Sequence, residues 1–244
     1  MPEETPTPTP SLGAEGESAL ARQIKSLKQR LVQEATFAVG MLEGATDALL
    51  RLDVEAAKSV MRRDDEIDRE EVHIEEEALR LLALFHPFAR DFRSVTTMLR
   101  INSDLERVAD HAASIAKQAT RLAPLGVPVW PTSLRELTQR VPMMCHALLT
   151  TLLTENAGTA DEIFAVDRQI DSLDKRLFEE CLDLMGDDRA SRSRGMLLYR
   201  CGRELERVGD LMTNIAEDVV YLVTGAIVRH TGKGHRPRPP GATP

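Results

Sequence analysis

Aromatic residues are scarce in this chain: one Trp, two Tyr and six Phe in 244 residues, or 4%. Leu, Ala, Arg, Glu and Asp dominate instead, a composition that suits packed helices better than sheets. Cysteine is almost as sparse. Cys145, Cys181 and Cys201 are scattered, with no CxxC spacing, which argues against a disulfide framework or a zinc ribbon and for reduced thiols in a core. Long apolar runs are missing too. The most apolar stretch, VVYLVTGAIV at 219–228, is half the roughly 20 residues that a membrane span needs. The opening MPEETPTPTPSLGAEGE has neither a basic start nor an apolar stretch, so no secretory signal is expected. GxxxxGK[ST], GxGxxG and GxSxG do not occur, which removes the usual nucleotide cradles and nucleophile elbow. No constellation assembles an acid, a base and a nucleophile, so no enzyme is expected. The net charge of −8 disfavours nonspecific binding to nucleic acid or anionic lipid.

Two copies of one helical sentence are present. Residues 104–117 read DLERVADHAASIAK and 204–217 read ELERVGDLMTNIAE, with seven of the fourteen positions identical at an offset of 100. Apolar or small residues in the first copy step by four and three: Ile101, Leu105, Val108, Ala112, Ile115, Ala119, Leu122. The second copy matches with Cys201, Leu205, Val208, Met212, Ile215, Val219 and Leu222. This is a heptad seam, flanked by small residues that let a neighbouring helix come close. A preceding pair of helices aligns at an offset of 103, Ala57, Val60, Ile67, Ile74, Ala78 and Leu81 against Ala160, Ile163, Ile170, Leu177, Cys181 and Leu184.

The expected fold is therefore all-α, two tandem three-helix bundles related by an internal pseudo-twofold repeat, with six helices. Their expected spans are 18–51, 54–84, 88–122, 132–156, 159–186 and 190–226. His86-Pro87, Asn156-Ala-Gly158 and Gly186-Asp-Asp188 mark the breaks, and Pro142 is expected to kink the fourth helix. The domain reading is a disordered tail over 1–17, a first repeat over 18–122, the linker APLGVPVWP over 123–131, a second repeat over 132–226 and a disordered tail over 227–244.

Carboxylates interrupt these seams in matched places. Asp64 and Glu71 stand where the second helix calls for apolar residues, as do Asp167 and Asp174 in the fifth. A carboxylate at a packing position costs several kcal/mol unless it is neutralised, paired or bound to a cation. Asp68 and Asp171 follow one turn after the first acid of each pair. The third helix places Glu106 and Asp110 on one face, and the sixth repeats them as Glu206 and Asp210, with Asn214 one turn on where the first copy has Ser114. Each repeat thus offers an acid-xxx-Asp pair on two helices: Asp64 and Asp68 with Glu106 and Asp110, and Asp167 and Asp171 with Glu206, Asp210 and Asn214. Such oxygen-rich helical faces suit hard or borderline cations. The competing account is a lattice of salt bridges to Arg100, Arg107, Arg200 and Arg207, which recur in register. Glu70-x-x-His73 has the spacing of a di-iron ligand pair, but Arg176 replaces the histidine in the other copy. His111 follows Asp110, yet Leu211 takes its place in the repeat, and Cys145-His146 reads as core packing.

At DLERVADHAASIAK and ELERVGDLMTNIAE the chain resembles the PhoU family of phosphate-transport regulators, over about 18–226. That resemblance implies a cytoplasmic all-α protein, commonly a homodimer, that binds multinuclear iron or other metal clusters through its acid-xxx-Asp motifs. Iron, zinc, manganese and magnesium are the ions to expect. It implies a non-enzymatic role: restraint of the phosphate ABC transporter, through its ATPase subunit, and of a sensor histidine kinase when phosphate is plentiful. Contact with the membrane would come only through those partners, and nucleic acid is not among them. Rival readings are a helical adaptor of an ion-coupled phosphate transporter and a carboxylate-bridged di-iron enzyme. The serine at 114, where the family has Asn, points to unequal metal occupancy in the two halves.

Overall fold

A computed structural model describes the backbone of residues 12–228 and the side chains of 19–228. Seven α-helices run through them: α1 (Leu12–Arg51), α2 (Val54–Arg62), α3 (Asp64–Phe85), α4 (Ala89–Leu122), α5 (Thr132–Thr154), α6 (Ala160–Leu184) and α7 (Arg189–Thr224). Short 3-10 turns follow α4 at Ala123–Leu125 and precede α6 at Ala157–Thr159. No strand occurs among the described residues. The six expected helices are all present, with the second drawn as two segments, α2 and α3, that meet at Arg63. There the chain tightens to three-residue hydrogen bonding, Arg63 N–H to the Val60 carbonyl and Glu66 N–H to that of Arg63. The Arg63 guanidinium lies over the Phe37 ring, 4.1 Å from its centroid. Residues 12–17, expected in a tail, continue α1; the rest of that tail, and the tail beyond 228, lie outside the described residues.

Local chemistry explains the other ends. Asp53 caps α2, its Oδ1 accepting from the Glu55 and Ala56 amides, and Asp188 caps α7 by accepting from Ser191. His86 ends α3 in the left-handed conformation at φ 44°, just before Pro87, and Gly225 ends α7 at φ 74°. Helix α5 is continuous through Pro142.

Helices α1, α2/α3 and α4 form one bundle, and α5, α6 and α7 the other. The halves join mainly where α4 lies along α7, with α1 against α5 beside them. Every seam residue of α4 is buried, and every one of α7 as far as Val219; Leu222 is partly exposed. The small residues do what their size allows. A Cβ on Gly202 would collide with Leu177 of α6, and one on Gly209 would stand 3.3 Å from Ile170 and 3.4 Å from an Asp167 oxygen. The glycines thus bring α6 against the backbone of α7 on the side where the acids are.

Candidate metal centre

In the second bundle Asp167 and Asp171 project from α6 and Asp210 from α7. One carboxylate oxygen from each lies within 4.8 Å of the others, the span that a single hard cation bridges. Asp167 is half-buried, and its Oδ1 has no hydrogen-bond partner. Burial, then the charges of Asp171 and Asp210, push its pKa to about 6. Glu206, one turn before Asp210, is raised by burial against the pull of Arg203, which sits 3.2 Å away. Asn214 is exposed and completes the stripe one turn after Asp210.

The first bundle places the equivalent acids together but less tightly. Asp64 Oδ1 is buried without a partner, and burial followed by Asp110, Asp68 and Asp65 pushes its pKa to about 6. Glu106 is raised by burial and by Asp110, Asp68, Glu71 and Asp64. Two differences from the second half stand out. Asp64 opens α3 at the Arg63 break, whereas Asp167 lies inside an unbroken α6. Ala109 also replaces Gly209, adding a methyl where the second half has none.

One aspartate of each acid face reaches a common groove. Asp110 and Asp210 line a groove of about 500 Å³ between α4 and α7, along with Arg107, His111, Arg207 and Asn214. Three of the four arginines in register are engaged with other acids. Arg107 pairs with Asp104, Arg207 with Glu204 and Arg100 with Asp218. Asp64, Asp68, Glu106, Asp110, Asp167 and Asp171 make no ion pair among the described residues. The salt-bridge account holds at Glu206 and at Asp174, another of the acids at packing positions, both through Arg203.

Residues that the repeat pattern passed over also act here. Arg203 spans Asp174 at 3.0 Å and Glu206, and its counterpart is Ser103, so no repetition flags it. Glu204 reaches across from α7 to α4, accepting from Ser114 Oγ at 3.0 Å and meeting His111 Nδ1 at 2.8 Å. His111 and Ser114 therefore clasp the two bundles together, and Ser114 stands committed to that contact. Glu70 is held by Arg30 through two hydrogen bonds and His73 is exposed, so this pair does not form a ligand set. Cys145 is core, as expected. His146 is not: it is exposed and bonds Glu43 of α1 at 2.7 Å.

Comparison with known proteins agrees with this architecture. The PhoU domain profile matches twice, at residues 31–119 and 134–219. A phosphate-specific transport system accessory protein PhoU homolog of Deinococcus radiodurans is 34% identical over 186 residues, covering 76% of this chain and 87% of that one. The homolog from Clostridium acetobutylicum is 32% identical over 209 residues, 83% of this chain and 93% of the other. Among solved structures, the phosphate transport system regulatory protein PhoU of Streptococcus pneumoniae superposes with a TM-score of 0.79 at 31% identity, covering 86% of this chain and 99% of that chain. PhoU of Pseudomonas aeruginosa gives 0.81 at 29%, covering 84% and 99%.

Proposed function

The chain belongs to the PhoU family, and from that premise we propose that it restrains phosphate uptake when phosphate is plentiful, as a metal-binding regulator without catalytic turnover. The relatives are named accessory or regulatory proteins of phosphate transport, and no helix among the described residues is long and apolar enough to cross a membrane. A cytoplasmic docking body, working as a homodimer, fits both facts. Binding to the ATPase subunit of a phosphate ABC transporter and to a sensor histidine kinase would shift those partners between active and restrained states.

The observation that carries the metal reading is the convergence of one carboxylate oxygen each from Asp167, Asp171 and Asp210, with Asp167 Oδ1 buried and without a hydrogen-bond partner. Their donors fit a hard or borderline cation such as iron, zinc, manganese or magnesium. Asp64, Asp68, Glu106 and Asp110 would hold the equivalent ion in the first half, with Glu206 and Asn214 flanking the second. The ion would supply charge neutralisation: carboxylates that repel one another across α6 and α7 become a brace for the face next to the groove.

Two experiments test this. Elemental analysis of protein purified without chelator should find metal above background, lowered in a Glu206→Ala/Asp210→Ala variant; equal content in both would hand the acids back to structural roles. Pull-downs from cells grown at high and low phosphate should recover a nucleotide-binding transporter subunit. Recovery of an ion-coupled carrier in its place would favour the adaptor role instead.

A further inference from the structure

Arg200 is the arginine of the recurring four that makes no ion pair among the described residues. Its counterpart at the offset of 100 is Arg100. Arg100 pairs with the buried Asp218 at 3.4 Å and lies over the Tyr221 ring, 5.1 Å from its centroid. The matched positions on α4 are Gln118 and Arg121. The carboxylate has become an amide, and the aromatic ring a second guanidinium. One residue earlier Lys117 stands where the other half has Glu217. Every exchange moves charge in the positive direction.

These residues share a second groove. Lys117, Gln118 and Arg121 of α4 and Arg200 of α7 line a space of about 480 Å³. Gln118 is buried, its Nε2 donating to the Ser114 carbonyl at 3.2 Å and its Oε1 accepting from Arg121 at 3.4 Å. The amide therefore holds the Arg121 guanidinium without neutralising it. No carboxylate pairs with Lys117, Arg121 or Arg200 among the described residues, although the chain as a whole carries a net charge of −8. Asp64 and Asp110 line the groove as well. Asp110 precedes Lys117 by seven residues and Arg121 by eleven, about 10 and 16 Å along α4. Asp64 has Asp110 as its strongest charged neighbour. The acids thus gather at one end of the groove and the cations at the other, where their fields add.

We propose that the cationic end binds an inorganic phosphate anion, free in solution, through Lys117, Arg121 and Arg200. Guanidinium groups pair with tetrahedral oxyanions through parallel N–H donors, and the Lys117 ammonium adds a point charge. A carboxylate would balance one of the three cations, whereas diphosphate carries enough charge to meet all of them. No aromatic ring lines the groove, so a nucleobase would find nothing to stack on. The other half has no such site, because Asp218 and Tyr221 already occupy Arg100. None of the metal-binding acids is a ligand here, so the site stands whether or not the acid-xxx-Asp faces hold ions.

The test is isothermal titration calorimetry of the full chain, freed of metal and dialysed, with diphosphate, orthophosphate and ATP as probes. Diphosphate should saturate at about one per chain and bind more tightly than orthophosphate, with ATP no tighter than diphosphate. Lys117→Glu and Arg121→Tyr install the residues of the other half at exposed positions. Each should weaken diphosphate at least about tenfold while the helical circular dichroism stays unchanged. Arg140→Ala, which removes an exposed arginine outside the groove, should bind as the unaltered protein does. A diphosphate Kd weaker than about 1 mM, or equal weakening in Arg140→Ala and Lys117→Glu, would overturn the proposal; the second result would mean that only overall charge is felt. ATP binding tighter than diphosphate would overturn the assignment to an inorganic anion.

Discussion

Asp64 and Asp167 hold their protons up to about pH 6, and Glu34 up to about pH 8, for a shared reason: burial without a partner, followed by neighbouring carboxylates. The folded-state pKa of each lies above the unfolded value, so each contributes most to stability below about pH 4 and loses that contribution as pH rises through the folded value. Metal-free protein should therefore melt higher at about pH 5 than at about pH 8. Metal-loaded protein should behave oppositely, because ions compete with protons for the same oxygens, and should release metal as pH falls through about 6. Calorimetry with and without chelator across that range reads both signs; a metal-free midpoint that climbs steadily with pH would contradict them. Removing one of the buried acids makes the same point. Glu34→Leu should raise the stability of chelated protein by about 1–3 kcal/mol, because an unsatisfied buried carboxyl gives way to leucine, the residue the other bundle carries at the matched position, Leu137.

Between elements, two glycines of α7 have separable duties. Gly202 meets the Cδ2 tip of the fully buried Leu177. Gly202→Ala should cost about 1–3 kcal/mol in chemical unfolding through overpacking. Gly209 stands against Ile170 and Asp167 at ordinary to tight contact distance. Gly209→Ala gains helix propensity of about 1 kcal/mol, which offsets the squeeze, so stability should barely move. Metal affinity should fall, because the new methyl pushes back the Asp167 carboxylate. An unchanged affinity would show that the close approach of α6 to α7 is packing alone. The first bundle already carries Ala109 at this position, which makes it the natural control.

Across the whole molecule, the two bundles are held in register by buried polar contacts as well as by the α4–α7 seam. Burial pushes the Glu204 pKa up, but hydrogen bonds from His111 and Ser114, and the charges of His111 and Arg207, hold it below the ordinary range. Asp218, 2% exposed, pairs with Arg100 across the same interface at 3.4 Å. Glu204→Ala strands His111 and Ser114 in a half-buried interface and should cost about 1–3 kcal/mol. Faster hydrogen exchange along α4 and α7 would accompany that loss, and exchange confined to the helix ends would argue against the clasp. The sign here is opposite to that of Asp64: a depressed acid contributes above its unfolded pKa and loses that contribution as pH falls through the folded value. The clasp should therefore survive the whole range in which the metal acids titrate.

How much of this was legible beforehand depends on whether a feature repeats. The seams from Ile101 to Leu122 and from Cys201 to Val219, the helix stops at His86 and Gly186, and the matched acids all follow from local periodicity. Hydrophobic burial and helix geometry act on residues three and four apart, so the sequence by itself determined the all-helical fold, its tandem form and the faces that carry Asp64, Asp110, Asp167 and Asp210. The features that break the repeat were decided only by tertiary structure: Arg203 over Asp174, Glu204 reaching His111 and Ser114 from the other bundle, and Glu34 buried on α1 with neither carboxylate oxygen partnered. Those contacts join helices far apart in the chain, where the energy of a charge depends on what surrounds it in space and leaves no period to read.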